Sequence, residues 1–120
     1  MRNTKKEGHI TLFVYKEKPS HYVGVCLEFD IIQEGKNPIE TMERIKQSAF
    51  NYLNTVRKKD LSEDLLNQRA PKEYWKKYQN LLKAKVTAIQ QEIQRRYWQS
   101  QIQEMIYNIN FNHDGLINAK

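Results

Sequence analysis

Three short runs near the start of the chain are rich in β-branched, aromatic and other apolar residues. The stretches cover residues 10–15 (Ile-Thr-Leu-Phe-Val-Tyr), 22–27 (Tyr-Val-Gly-Val-Cys-Leu) and 31–34 (Ile-Ile-Gln-Glu). Runs rich in β-branched and aromatic residues are typical of strands. The turn-forming residues 16–20 between the first two stretches suit a hairpin connection. The pattern predicts three antiparallel strands, of which the first has apolar residues on both faces.

The spacing of apolar residues changes to three and four after Pro38. Asn37 can accept a hydrogen bond from a free helix N–H, Pro38 suits the first helical position, and Glu40 stands where a capping box has its acid. The apolar residues that follow form one stripe: Ile39, Met42, Ile45, Ala49, Leu53 and Val56. We therefore predict a helix over residues 37–56 that packs on one face of the sheet.

Helical patterns also dominate the second half of the sequence. A capping-box pattern from Asp60 to Glu63 predicts a short helix over residues 61–68, and Pro71 begins another. No Pro or Gly occurs from residue 80 to residue 109, and apolar residues recur there at helical spacing: Leu82, Val86, Ile89, Ile93, Tyr97, Ile102, Met105, Ile106 and Ile109. This spacing predicts a continuous helix over residues 80–109.

These elements define an α+β fold, in which a three-stranded antiparallel sheet is packed by one helix and is followed by a helical C-terminal arm. The length of 120 residues suits one domain. We assign residues 1–79 to an α+β domain with a short helical extension, and residues 80–120 to an arm that is not an independent domain. A long exposed helix is stabilised best by packing on another chain, so we expect a homo-oligomer, either a dimer or a larger assembly.

The segment 22–35, Tyr-Val-Gly-Val-Cys-Leu-Glu-Phe-Asp-Ile-Ile-Gln-Glu-Gly, is followed by Pro38, Ile39, Glu40 and a helix that ends in Phe-Asn-Tyr-Leu at 50–53. This combination resembles the HicB-like antitoxin family over residues 10–56. The resemblance implies a truncated ribonuclease-H-like fold without nuclease activity, which in the family sequesters a small ribonuclease toxin. Many members carry a C-terminal DNA-binding segment, but a continuous helix over residues 80–109 leaves no room for a helix-turn-helix.

The chain is basic, with a formal net charge of +6 and a pI of about 9.4. A basic chain favours an acidic partner, either nucleic acid or an acidic protein surface. Cys26 is the single cysteine, so no internal disulfide can form and a reducing, cytoplasmic location is expected. The apolar run at residues 10–15 is too short for a signal-peptide core or a membrane span, and we expect no membrane association.

Candidate catalytic chemistry is sparse. Glu28 and Asp30 alternate along an extended segment, as paired carboxylates for metal binding would, but the first strand has no acid to join them. We expect both at a solvated strand junction. The three histidines have no metal-site spacing, and the four glycines form no phosphate loop. The sequence predicts no catalytic residue, no metal, no cofactor and no enzymatic activity.

Two sets of residues are candidates for binding. Aromatic and apolar residues at helical spacing form a predicted partner or subunit interface, which in the HicB-like interpretation contacts a small toxin-like protein: Tyr74, Trp75, Tyr78, Ile89, Ile93, Tyr97 and Trp98. The alternative is nucleic-acid binding by interleaved basic residues: Lys72, Lys76, Lys77, Arg95 and Arg96. The protein interface is favoured, because the aromatic residues share helical spacing with other apolar residues.

Overall fold

The structure is a computed structural model, and it describes residues 2–92, 104–112 and 115–118. Its elements in chain order are β1 Gly8–Lys18, β2 His21–Cys26, β3 Ile31–Gly35, α1 Pro38–Lys58, a 3₁₀ turn Glu63–Leu66, α2 Lys72–Glu92, β4 Met105–Asn112 and β5 Gly115–Asn118.

Within the described residues, five strands form an antiparallel sheet in the order β3-β2-β1-β4-β5. The predicted antiparallel arrangement of the first three strands is confirmed. β1 lies at the centre, and Phe13 shows its position well because it pairs with Val25 of β2 on one side and with Ile106 of β4 on the other. Both long edges of β1 are therefore hydrogen-bonded within the chain.

The predicted helix over residues 80–109 is wrong at its C-terminal end. The structure has helix as far as Glu92, whereas Met105–Asn112 is the strand β4. Apolar residues at 105, 106 and 109 fit helical spacing, but Tyr107, Ile109 and Phe111 also alternate with asparagines, which is the period of a strand. Without β4, the backbone groups along one edge of β1 would lack hydrogen-bond partners. Pairing with β1 therefore favours a strand over a helix at residues 105–112.

Helix α1 covers one face of the sheet, as the sequence predicts. The Asn37 side chain accepts a hydrogen bond of 2.7 Å from the Glu40 amide, which confirms the predicted cap. Gly24 of β2 lies under the helix, where an added Cβ would come within 3.3 Å of Ile45. The α1-side core contains mainly Ile10, Leu12, Val14, Cys26, Phe29, Met42, Ile45, Ala49, Leu53, Val56, Leu66, Ile109 and Phe111.

Helix α2 covers the opposite face, so the expected packing by one helix is corrected to packing by two. The α2-side core consists of Phe13, Tyr15, Val23, Val25, Leu27, Ala70 and Leu81, with the partly buried Tyr74, Trp75, Tyr78 and Ile106 packed against it. Successive residues of β1 point to opposite faces, so its buried apolar residues contribute to both cores. The result is a sheet between two helical layers.

The helical part of the connection between α1 and α2 is shorter than predicted. In place of a helix over residues 61–68, the structure has one 3₁₀ turn, capped by Ser62 rather than by Asp60. The turn is tied to the N-terminal segment by the side chains of Asn3 and Asn67. Asn67 accepts from the Asn3 amide at 2.7 Å and donates to the Asn3 carbonyl at 2.8 Å, while Asn3 itself is buried.

The packing of α1 is tested by two isoleucines on the same helix. Ile45 is fully buried and Ile39 is 64% exposed. We expect Ile45→Ala to lower the free energy of unfolding by about 2–5 kcal/mol, because it leaves a cavity in the α1-side core. Ile39→Ala should cost less than about 0.5 kcal/mol. Urea unfolding of both variants measures the difference, and equal losses would contradict the assigned orientation of α1.

Candidate protein-interaction surface

Helix α2 has an apolar strip that the sheet does not cover. Leu81 is buried in the α2-side core, but its neighbour Leu82 is 40% exposed and Val86 is 51% exposed. Because Leu82 and Val86 are four residues apart, they lie on the same side of the helix. They line a shallow groove of about 510 Å³, called here the α2 groove, together with Gln79, Lys83 and Thr87. A single exposed apolar residue is ordinary, whereas Leu82 and Val86 together form a small contiguous apolar patch.

Three exposed lysines share one side of α2, and one of them, Lys83, also lines the α2 groove. Lys72, Lys76 and Lys83 are exposed, and their spacing places them within about 40° of one another around the helix axis. We call these three residues the lysine ridge. Over its whole length α2 contains five lysines and two glutamates, a net charge of +3. The groove therefore combines apolar side chains with Lys83, and the other two lysines of the ridge precede it along the helix.

The structure separates the predicted interface residues into two groups. Tyr74, Trp75 and Tyr78 are half-buried and pack against the sheet within this chain, where the Tyr78 and Phe13 ring centroids are 5.7 Å apart. The other predicted interface residues fall outside the described part of the chain, as do two of the basic ones: the side chain of Ile89, and Ile93, Tyr97, Trp98, Arg95 and Arg96. Their assignment to an interface or to nucleic-acid contact stays a prediction.

The remaining basic candidates are on the surface of α2. Lys72 and Lys76 belong to the lysine ridge. The Lys77 ammonium lies 4.4 Å from the centre of the Tyr15 ring. Leu82 and Val86 were missing from the predicted interface set. Their signal was present in the sequence, because they begin the helical stripe that continues at Ile89 and Ile93.

Glu28 and Asp30 occupy different environments, and the expected solvated junction is wrong for Glu28. The Glu28 carboxylate is largely buried beside β1, where it accepts hydrogen bonds from the Thr11 amide at 2.7 Å and the Thr11 hydroxyl at 3.0 Å. Burial raises the pKa of Glu28, although the Thr11 bonds oppose the shift. Asp30 is exposed in a turn with a φ of 55°, so the segment is not extended and the two acids do not form a pair.

No cluster of three His, Cys, Asp or Glu side chains suited to a metal ion occurs in residues 2–92, 104–112 and 115–118. Cys26 is buried, and this burial raises the pKa of its thiol. None of the helices in those ranges is long and apolar enough to cross a bilayer.

Comparison of the chain with protein-family models, with curated proteins and with solved structures finds no match.

The buried carboxylate gives a pH-dependent prediction. Because the folded pKa of Glu28 lies above its ordinary value of 4.5, burial opposes ionisation in the folded state. This destabilising contribution is absent below the pKa that Glu28 has in the unfolded chain. It grows as the pH rises above that value and is complete above the pKa of the folded state. We therefore expect the stability of Glu28→Gln, relative to that of the unsubstituted protein, to increase from pH 4.5 to neutral pH.

Urea unfolding of both proteins at the two pH values measures this difference. Thr11→Val serves as a comparison, because it removes the hydroxyl donor and leaves the carboxylate in place. A stability difference between Glu28→Gln and the unsubstituted protein that is constant with pH would contradict a raised pKa at Glu28.

Proposed function

We propose that this chain is a non-enzymatic protein-interaction protein, and that its α2 groove binds an amphipathic segment of an acidic protein. The observation that carries the proposal is the exposure of Leu82 and Val86 side by side in a groove beside the lysine ridge. Amphipathic helices bind such grooves by placing apolar residues at three- and four-residue spacing into them. Acidic residues flanking that apolar face would meet Lys72, Lys76 and Lys83.

Charge favours a different protein over a second copy of this chain at the α2 groove. Two copies paired through α2 would each bring a net charge of +3 to the contact. Like charges across an interface oppose association, and an acidic partner removes the conflict. Self-association through residues beyond the described part of α2 stays a separate proposal.

The HicB-like resemblance is compatible with this function and narrows the class of protein partner. A HicB-like role would make the partner a small toxin-like protein. A basic toxin would be repelled by the lysine ridge and would need a different surface, whereas a toxin with an acidic rim suits the α2 groove. The α2 groove lies outside residues 10–56, so it adds a binding surface to the part of the chain that carries the resemblance.

Nucleic-acid binding is less well supported by the same helix. Single-stranded nucleic acids are held by basic residues together with aromatic rings on which bases stack. Here Lys72 and Lys76 are exposed, but Tyr74, Trp75 and Tyr78 pack toward the sheet. The lysine ridge alone offers contacts to phosphates without a stacking surface.

The partner is identified by site-specific crosslinking. A photoreactive residue replaces Val86 in the full chain, and a control protein carries it at Lys58, an exposed position on α1. We expect the Val86 position to crosslink a specific acidic protein that the Lys58 position does not. Crosslinks to a second copy of the chain or to RNA would instead support self-association or nucleic-acid binding, and would contradict the proposal.

Binding of the purified partner then tests the groove quantitatively. Leu82→Asp should weaken binding by about 2 kcal/mol or more, roughly thirtyfold, because it places a charge on the apolar contact. Ile39→Asp is the matched control, since Ile39 is an exposed isoleucine on α1 that the proposal does not use. Isothermal titration calorimetry measures both, and equal affinities for Leu82→Asp and the unsubstituted protein would exclude the α2 groove.

A further inference from the structure

Strand β3 forms one edge of the sheet, and no strand of the described residues pairs with its outer side, called here the β3 edge. Edge strands pair readily with another chain unless a feature of the strand prevents it. β3 contains no Pro and no Lys, and its pairing with β2 has no bulge. Its one charged side chain, Glu34, lies beside His21, with 3.3 Å between Oε1 and Nε2. The β3 edge is therefore open to a further strand.

Two residues of β3 direct their backbone groups outward. In an antiparallel sheet, successive residues of a strand bond alternately to the neighbours on its two sides. The Leu27 amide bonds to the Thr11 carbonyl of β1, so odd-numbered residues of β2 bond to β1 and even-numbered ones bond to β3. Their partners in β3 are residues 31, 33 and 35. Ile32 and Glu34 therefore each present an N–H and a C=O at the β3 edge, and no described backbone group bonds to them.

A polar depression borders the β3 edge on the side of α1. It has a volume of about 500 Å³, and it is lined by Gln33 of β3 and by one side of α1. Among the α1 residues, Gln47, Ser48 and Asn51 contribute amides and a hydroxyl, which both donate and accept hydrogen bonds. Groups of this kind are complementary to an identical set. The depression therefore suits a second copy of the same surface.

The charges around the β3 edge are mixed. Glu40, Glu43 and Arg44 of α1 line the depression, and Glu34 and Lys36 lie in or next to β3. These three acids and two bases give a net charge of −1, whereas α2 has a net charge of +3. Two copies of this basic chain therefore meet with much less like-charge repulsion at the β3 edge than at α2.

We propose that two copies of this chain pair antiparallel through the β3 edge, around a two-fold axis between their Gln33 residues. Ile32 of each copy then lies opposite Glu34 of the other, and both positions form hydrogen-bonded pairs. The two five-stranded sheets become continuous, with both copies of α1 on the same face. Ile32, which is 38% exposed in one copy, lies diagonally across the axis from its equivalent, so each side chain covers part of the other.

Charge selects this register over its neighbours. A two-fold axis at Glu34 would place the two Glu34 residues opposite each other, and an axis at Ile32 would place Glu34 opposite Asp30. Like charges at directly opposite positions destabilise a strand pair. The axis at Gln33 instead brings Lys36 of one copy toward Asp30 of the other, and both residues are exposed. The α2 groove lies outside this contact, so the proposed function and the β3 pairing can fail separately.

The mass of the full chain in solution tests the pairing. Sedimentation equilibrium at roughly 10–100 μM protein should give twice 14.4 kDa. Ile32→Pro removes an outward N–H, which an edge strand tolerates, and it should weaken dimerisation at least about tenfold. Asn118→Pro is the matched control, because the same alternation of backbone groups places the Asn118 N–H at the opposite edge of the sheet, on β5. It should leave the mass unchanged.

A disulfide across the axis tests the register. The two Gln33 residues face each other at non-hydrogen-bonded positions in the proposed pair, with about 4.5 Å between Cα atoms, a separation that a disulfide spans. Gln33→Cys should therefore form a disulfide-linked dimer under mild oxidation. Lys58→Cys, at an exposed position on α1, should not. Cys26 is fully buried and does not compete.

The proposal is overturned if the full chain is monomeric at roughly 100 μM. It is equally overturned if Gln33→Cys forms no more disulfide-linked dimer than Lys58→Cys, or if a folded Ile32→Pro variant dimerises as tightly as the unsubstituted protein. If Ile32→Pro does not fold, the mass of the unsubstituted chain and the disulfide at position 33 still decide the outcome.

Discussion

The central strand β1 is the constraint on which the fold depends. Its apolar run has no polar face, so burial of Ile10, Leu12 and Val14 on one side leaves Phe13 and Tyr15 on the other. Hydrophobic burial of both faces requires two covering layers, and α1 and α2 are those layers. The two edges of the strand require partners as well, which β2 and β4 supply. A sheet with one helical layer would leave a large apolar face in water.

The position of α2 determines which of its side chains are buried and which reach the surface. Its sheet-facing side is fixed by Tyr74, Tyr78 and Leu81, which pack on the α2-side core. The remaining sides of the helix then present Leu82 and Val86 toward solvent, beside the lysine ridge. Near the start of the same helix, Trp75 borders a separate cavity of about 370 Å³ that Glu28 also lines. One helix therefore completes the core and lines two separate surfaces.

Local signals in the sequence were sufficient for the first half of the fold. Asn37 and Pro38 mark the start of α1 because capping depends on neighbouring residues only. β4 was missed because its apolar residues fit two periods, and the deciding partner, β1, is distant in sequence. The buried state of Glu28 was missed for a similar reason: the turn at Asp30 and the contact with Thr11 come from tertiary structure. For α2, spacing predicted an apolar side, but it did not indicate that the sheet of the same chain would cover part of it.

The account's central claim is that α2 covers the second face of the sheet, and Phe13 tests it most directly. Phe13 is fully buried between the sheet and α2, close to Tyr78. Phe13→Ala, measured by urea unfolding, should therefore lower the free energy of unfolding by about 3–5 kcal/mol. A loss below about 1 kcal/mol would mean that this face of β1 is open to solvent, which would contradict the two-layer packing and the orientation of α2 derived from it.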